Sequence, residues 1–154
     1  RLDAVPVADL LDGVHLFVEP QVIARQQRFH CDPCDVALRV RADREKASQI
    51  LLNLVSNAVK FTEPGGEIRI GAEPVGDDAV AIHVRDTGQG IPADKLDAVF
   101  DPFVQVDSQF TREAQGTGLG LAISRELARG MHGELTAEST LGEGSTFTLT
   151  LPRS

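Results

Sequence analysis

The first apolar pattern along the chain is helical. Leu10, Leu11, Val14, Phe17 and Val18 recur at three- and four-residue intervals, which places a helix over residues 7–26. Pro20 lies inside that span and is expected to bend it, because proline removes a backbone donor. The stretch "VALRVRA" then changes to a two-residue period, with Val36, Leu38 and Val40 on one face, as in a half-buried strand. Asp43 is a good N-cap for a second helix running to about Phe61, which Pro64-Gly65-Gly66 stops. "EIRIGAEPV" and "AVAIHVRD" alternate again and are joined by Gly76-Asp77-Asp78, the signature of a hairpin. A short helical piece follows from Ala93 to Phe100. Residues 101–117 are polar and unpatterned. A third helix is expected from Gly118 to about Met131, and "GELTAEST" with "GSTFTLTLP" forms a second hairpin. The fold class is therefore α/β: a two-layer α/β sandwich, its sheet largely antiparallel and backed by three helices.

Length and charge narrow the functions. At 154 residues the chain is read as a single domain, 1–154, able to bury about two-thirds of its unfolded surface. A net charge of −8 speaks against general nucleic-acid or anionic-membrane binding, since both call for a basic face. No apolar run approaches a membrane span, and a cytoplasmic location is expected. Cys31 and Cys34 in "HCDPCD" are the only cysteines. They are two thiols at a turn, a redox pair, or half of a zinc site to which His30 adds a ligand.

The second helix poses a chemical question. Leu51, Leu54, Ala58 and Phe61 form its core stripe, while Asn53, Asn57 and Lys60 line the border of that stripe. A polar border can look into a cleft; an amide oxygen suits Mg²⁺, and a lysine suits phosphate. A solvated face is the simpler alternative. In the strand "AVAIHVRD", Asp86 shares the parity of Val80, Ile82 and Val84, so a carboxylate is aimed at the apolar side, where it needs a partner. Gly88 and Gly90 allow close backbone approach, and an adenine amine would suit Asp86. Gly116, Gly118 and Gly120 open the third helix, whose free N–H groups attract anions. The spacing fits neither a P-loop nor a Rossmann fingerprint. The loop 101–117, with Phe100, Phe103 and Phe110 as apolar holds, has the make-up of a lid. Ser145 has the parity of Phe147 and Leu149, so Ser145 rather than Thr146 should reach the cleft.

Taken in order, "NLVSNAVKFT", "DTGQGIP", "FDPF", "GTGLGLAI" and "GEGSTF" resemble the N box, first glycine box, F box, second glycine box and final glycine motif of sensor histidine kinases. The resemblance runs from about residue 43 to the end. It implies the Bergerat (GHKL) fold, with ATP held between helices and sheet under a mobile lid. It implies that Asn57 ligates Mg²⁺, that Asn53 is the polar residue one turn before it, and that Lys60 contacts phosphate. Phe61 lies near the nucleoside, Asp86 reads adenine, and Gly88 and Gly90 shape the pocket. Gly116, Gly118 and Gly120, with Leu119 between them, face the phosphates. Phe100 and Phe103 anchor the lid, and Arg112 reaches the terminal phosphate on closure. Ile91, Thr117 and Ser145 belong to the same motifs and complete the implied ATP-binding set.

The resemblance also implies partners: ATP, Mg²⁺, the dimerisation and histidine-phosphotransfer helices of a parent kinase, and a response regulator receiver domain. Gln115 stands where many family lids carry a glycine, so a stiffer hinge is expected. None of His15, His30, His83 and His132 has the family's phosphoacceptor context, so the acceptor helices are expected before Arg1. The fragment alone is then expected to be monomeric and to autophosphorylate negligibly. The hydrolases of the same superfamily place a glutamate where this chain has Asn53, an amide that cannot act as a base. A non-catalytic nucleotide-sensing module is the third reading.

Overall fold

The computed structural model describes residues 1–96, 98–100 and 120–154. In chain order these form β1 (Asp3–Pro6), α1 (Val7–Ala24), β2 (Arg28–Cys31), β3 (Arg39–Ala42), α2 (Arg44–Phe61), β4 (Glu67–Val75) and β5 (Ala79–Asp86). After them come α3 (Ala93–Leu96), α4 (Gly120–Gly130), β6 (Glu134–Thr140) and β7 (Gly144–Pro152). The main sheet has the order β2-β4-β5-β7-β6, with β1 and β3 as a separate antiparallel pair. Among the described residues, only the β2–β4 pairing of the main sheet is parallel, and the crossover that a parallel pair needs is supplied by β3 and α2.

The helices cover one face of the sheet. Ile68 and Ile70 of β4, Val80, Ile82 and Val84 of β5, and Leu149 and Leu151 of β7 join one buried cluster with Val14 and Val18 of α1 and Leu51, Leu54 and Val55 of α2. Full burial of each large aliphatic side chain stabilises the fold by about 1.5–3 kcal/mol. Alternation sends His83, Arg69, Arg85 and Thr146 to the opposite face, where they line a shallow polar groove. Asp43 caps α2 by accepting from the Lys46 N–H at 3.2 Å. At the other end, the Gln27 amide donates to the Val59 and Thr62 carbonyls at 2.8 and 2.6 Å. Two carbonyls at the end of α2 that lack helical partners are thereby satisfied, which fixes the end of α1 against it.

Several expectations need correction. β1 and β2 were not anticipated, and β2 takes in His30, which the sequence places at a turn. The strand expected over 36–42 begins only at Arg39. Val36 is 81% exposed, because Asp35 folds the chain into a local turn: its carboxylate accepts from the Ala37 N–H at 2.9 Å and its carbonyl from the Leu38 N–H at 3.0 Å. α1 ends at Ala24 and runs on through Pro20. It stops there because Gln26 takes a φ of 59°. Phe61 is half-buried at the end of α2 rather than part of the core. Among the described residues, no helix is long and apolar enough to cross a membrane.

Candidate functional site

The last residue of β5 begins the site. Asp86 is 7% exposed and lies on the helix-covered face with Val80, Ile82 and Val84. Its Oδ1 accepts from the Gly88 N–H at 2.9 Å, and the Ser145 N–H also donates to the carboxylate. Burial pushes the Asp86 carboxyl above the ordinary aspartate value, against the opposing pull of those two N–H donors. The result is a carboxylate at the mouth of an apolar layer with lone pairs left to accept a further donor. Ser145 stands directly opposite Asp86 in the β5–β7 register and is 8% exposed. Thr146 points to the far groove, as the alternation requires.

The loop after Asp86 can lie where it does only because of its glycines. A Cβ on Gly88 would collide with the Phe61 carbonyl, so the loop touches the end of α2 backbone to backbone. Gly90 has a φ of +76°, and a Cβ there would collide with the Thr140 carbonyl. A third glycine, Gly144, has a φ of +124° and rests on the Asp86 carbonyl. The turn between β6 and β7 is thus seated on the loop 87–91. The Gly142 N–H donating to the Gln89 carbonyl at 2.7 Å and the Ile91 N–H donating to Ser139 Oγ at 2.7 Å complete the seat. Ser139 and Gly144 have this structural role without having been singled out in the sequence. The motif "GEGSTF" carries Gly144, whereas Ser139 has no local signal.

On the helical side, the Asn53 amide donates to Ser124 Oγ of α4 at 3.0 Å. Gly120, the first residue of α4, would bring a Cβ to 3.1 Å from Asn53 Oδ1. Asn53 therefore packs the start of α4 against α2. Asn57, one turn further on, is half-buried and its side chain makes no hydrogen bond among the described residues. Lys60 is exposed, and Phe61 borders Gly88. The fold so brings Phe61, Asp86, Gly88, Gly90, Ile91 and Ser145 together at one end, and Asn53 with Gly120 at the other. Phe100 packs edge-on to Phe147, with the ring centroids 6.2 Å apart, and the Arg125 guanidinium lies 4.8 Å over the Phe100 ring. Phe103, Arg112, Gly116, Thr117, Gly118 and Leu119 lie outside the described residues.

Cys31 and Cys34 stand apart from this site. His30 and Cys31 are adjacent in β2 and so point to opposite faces, and the His30 ring pairs with Asp32 at 3.1 Å. Burial, reinforced by neighbouring aspartates, pushes both thiols up, which keeps them protonated and poorly nucleophilic. Among the described residues, no group of three or more histidine, cysteine or acidic side chains could hold a metal ion.

A buried acceptor thus sits among three close-packed glycines beside the end of α2. Residues 42–154 match the family described as histidine kinase-, DNA gyrase B- and HSP90-like ATPases, and the chain belongs to that family. Within it the relatives are sensor histidine kinases. The circadian input-output histidine kinase CikA of Synechococcus elongatus is 46% identical over 112 residues, 73% of this chain and 15% of CikA. This chain thus spans about one-seventh of that relative's length. The catalytic domain of histidine kinase ThkA superposes with a TM-score of 0.86 at 28% identity, covering 99% of this chain and 98% of that one. Full-length ShkA in complex with AMPPNP matches with a TM-score of 0.84 at 30% identity over 100% of this chain and 31% of ShkA. ThkA in complex with response regulator protein TrrA matches at 0.82 and 27%, over 99% and 42%. The fold is that of a histidine kinase catalytic domain.

Proposed function

We propose that residues 1–154 are one catalytic unit that binds ATP with Mg²⁺ and donates the γ-phosphoryl group to a histidine on a separate dimerisation domain of a parent sensor kinase. A response regulator receiver domain would then take the group. The observation that carries the nucleotide reading is the environment of Asp86. Among the described residues this buried carboxylate holds two backbone N–H bonds, and it keeps acceptor capacity that an exocyclic amine would satisfy. The AMPPNP complex of ShkA and the TrrA complex of ThkA support the assignment of ligand and partner.

The residues fit the metal. The Asn57 side chain has no hydrogen-bond partner among the described residues, and an amide oxygen is a suitable Mg²⁺ ligand alongside water and phosphate. When bound, the ion neutralises phosphate charge. Asn57 would hold it, Lys60 would pair with phosphate oxygen, and Phe61 and Ile91 would border the nucleoside. The N–H groups over Gly116–Gly120, with Thr117 and Leu119 among them, would face the phosphates, and Phe103 and Arg112 would act from the lid. Phosphoryl transfer needs little more than such positioning and charge neutralisation. Hydrolysis is disfavoured, because Asn53 is an amide whose N–H group is already given to Ser124. On this account the fragment is monomeric and cytoplasmic and barely phosphorylates itself.

The test is transfer in trans. The domain, ATP and Mg²⁺ are mixed with acceptor helices from the parent protein, and acid-labile phosphohistidine is measured. Label on those helices, absent with Asn57→Ala, is expected. ATP binding without any transfer would instead favour a nucleotide-sensing module.

A further inference from the structure

Ser139, in β6, touches two other segments, the loop 87–91 and β7, through one oxygen. The Ile91 N–H donates to its Oγ at 2.7 Å, the Gly144 carbonyl oxygen lies 2.8 Å away, and Ser145 Oγ lies 2.9 Å away. A serine hydroxyl has one proton to give and two lone pairs to receive. The Gly144 carbonyl can only accept, so that contact is a hydrogen bond only if Ser139 donates its single proton there. The contact with Ser145 is then a bond only if Ser145 donates to Ser139. The Ile91 N–H fills the remaining lone pair. One arrangement therefore satisfies all three contacts, and in it the Ser145 proton is committed away from the cleft.

Ser145 stands opposite Asp86 on the same face of the sheet. With its proton committed, Ser145 offers only lone pairs to a group lying against Asp86, and so does the ionised carboxylate. We propose that Ser139 is a positioning residue that sets the base preference of the nucleotide site. By holding the Ser145 hydroxyl as an acceptor, it favours a purine with an amine at position 6 over one with a carbonyl there. A 6-oxo group would set lone pairs against lone pairs. Removing the Ser139 hydroxyl frees the Ser145 O–H to rotate and donate to that oxygen, which relaxes the preference. The inference rests on the nucleotide reading above and adds to it a residue outside the recognised motifs.

The experiment compares the affinities of the whole chain for ATP and for inosine triphosphate, with Mg²⁺ present. Wild type should prefer ATP, and Ser139→Ala should lower the ATP-to-ITP affinity ratio by about tenfold, the worth of one hydrogen bond. Ser139→Thr keeps the hydroxyl and should keep the ratio. Ser145→Ala should lower the ratio as well, and the double variant should lower it no further than either single change. A merely structural role would weaken both nucleotides alike, so an unchanged ratio in Ser139→Ala overturns the proposal, as do additive losses in the double variant. Should Ser139→Ala fail to fold, the other variants decide: a wild-type ratio in Ser145→Ala, or a lost one in Ser139→Thr, overturns it equally. Wild type that binds no ATP at all refutes the nucleotide reading itself, and this inference with it.

Discussion

Replacing Gly88 by alanine tests whether the close seat of the loop on α2 matters. The added Cβ would collide with the Phe61 carbonyl oxygen and lie 2.9 Å from Asp86 Oδ1. One obstacle is backbone at a helix end and the other is a buried carboxylate, so neither yields as the tip of a flexible side chain would. The loop itself must move. Such overpacking costs about 1–3 kcal/mol, and lengthening the 2.9 Å bond from the Gly88 N–H to Asp86 adds up to about 1.5 kcal/mol. We expect a loss of about 2–4 kcal/mol in urea unfolding followed by circular dichroism. Affinity for a fluorescent ATP analogue should fall at least about tenfold, because the displaced loop no longer holds the Asp86 carboxylate through the Gly88 N–H. Gly13→Ala is the matched control. Gly13 lies inside α1 with nothing within 4 Å of its Cβ position, so alanine there should raise stability by about 0.5–1 kcal/mol and leave affinity alone. A Gly88→Ala domain as stable as wild type, with unchanged affinity, would refute the reasoning.

Three further outcomes follow from charge. Burial raises the Asp86 carboxyl above its ordinary value of 3.8; on the proposed reading the ionised form binds the nucleotide, so affinity should be full above that raised pKa and fall as pH drops through it. A fluorescence titration across acid pH with a midpoint at or below the ordinary value would contradict this. The folding sign is the reverse: the native state holds the Asp86 proton more tightly, so its contribution to ligand-free stability is full below the unfolded pKa and is lost as pH rises through the folded one. Glu134 behaves oppositely. Burial pushes its carboxyl up, but the Leu135 N–H and the Arg129 and Arg125 guanidinium groups outweigh that and hold it below the ordinary glutamate value. Its stabilisation is present above the unfolded pKa and lost as pH falls through the folded one. Because the pair with Arg129 is nearly half exposed, Glu134→Gln should cost only about 0.2–1 kcal/mol at neutral pH. Urea melts should show no difference at a pH below the folded pKa, and a difference that persists there would refute the ionic account.

The long elements were legible in the sequence because each carries its own period. α2, the β4–β5 hairpin and the β6–β7 hairpin repeat apolar positions often enough for helix and strand to be told apart, and parity alone separated Ser145 from Thr146. β1 and β2 were not legible. "DAVP" and "RFHC" are four residues each, too short to alternate, and they are strands only because β3 and β4 offer edges to pair with. Val36 misled because an aspartate turn overrides a single period-two match. At the site, Asp86 announced itself as a charge in an apolar register. Ser139 did not, since its significance arises from three segments meeting at one oxygen. The helical spacing places Asn53 on a polar border, but its hydrogen bond to Ser124, 71 positions away, has no local signal.

The central claim is that the Asp86 carboxylate anchors a nucleotide in this domain. It is tested most directly by calorimetric titration of an ATP analogue with Mg²⁺ into wild type and Asp86→Ala, each confirmed as folded by its thermal melt. Loss of a hydrogen bond to a charged acceptor is worth about 1.5–3 kcal/mol, so the variant should bind at least about tenfold more weakly. Equal affinity in the two proteins would contradict the account.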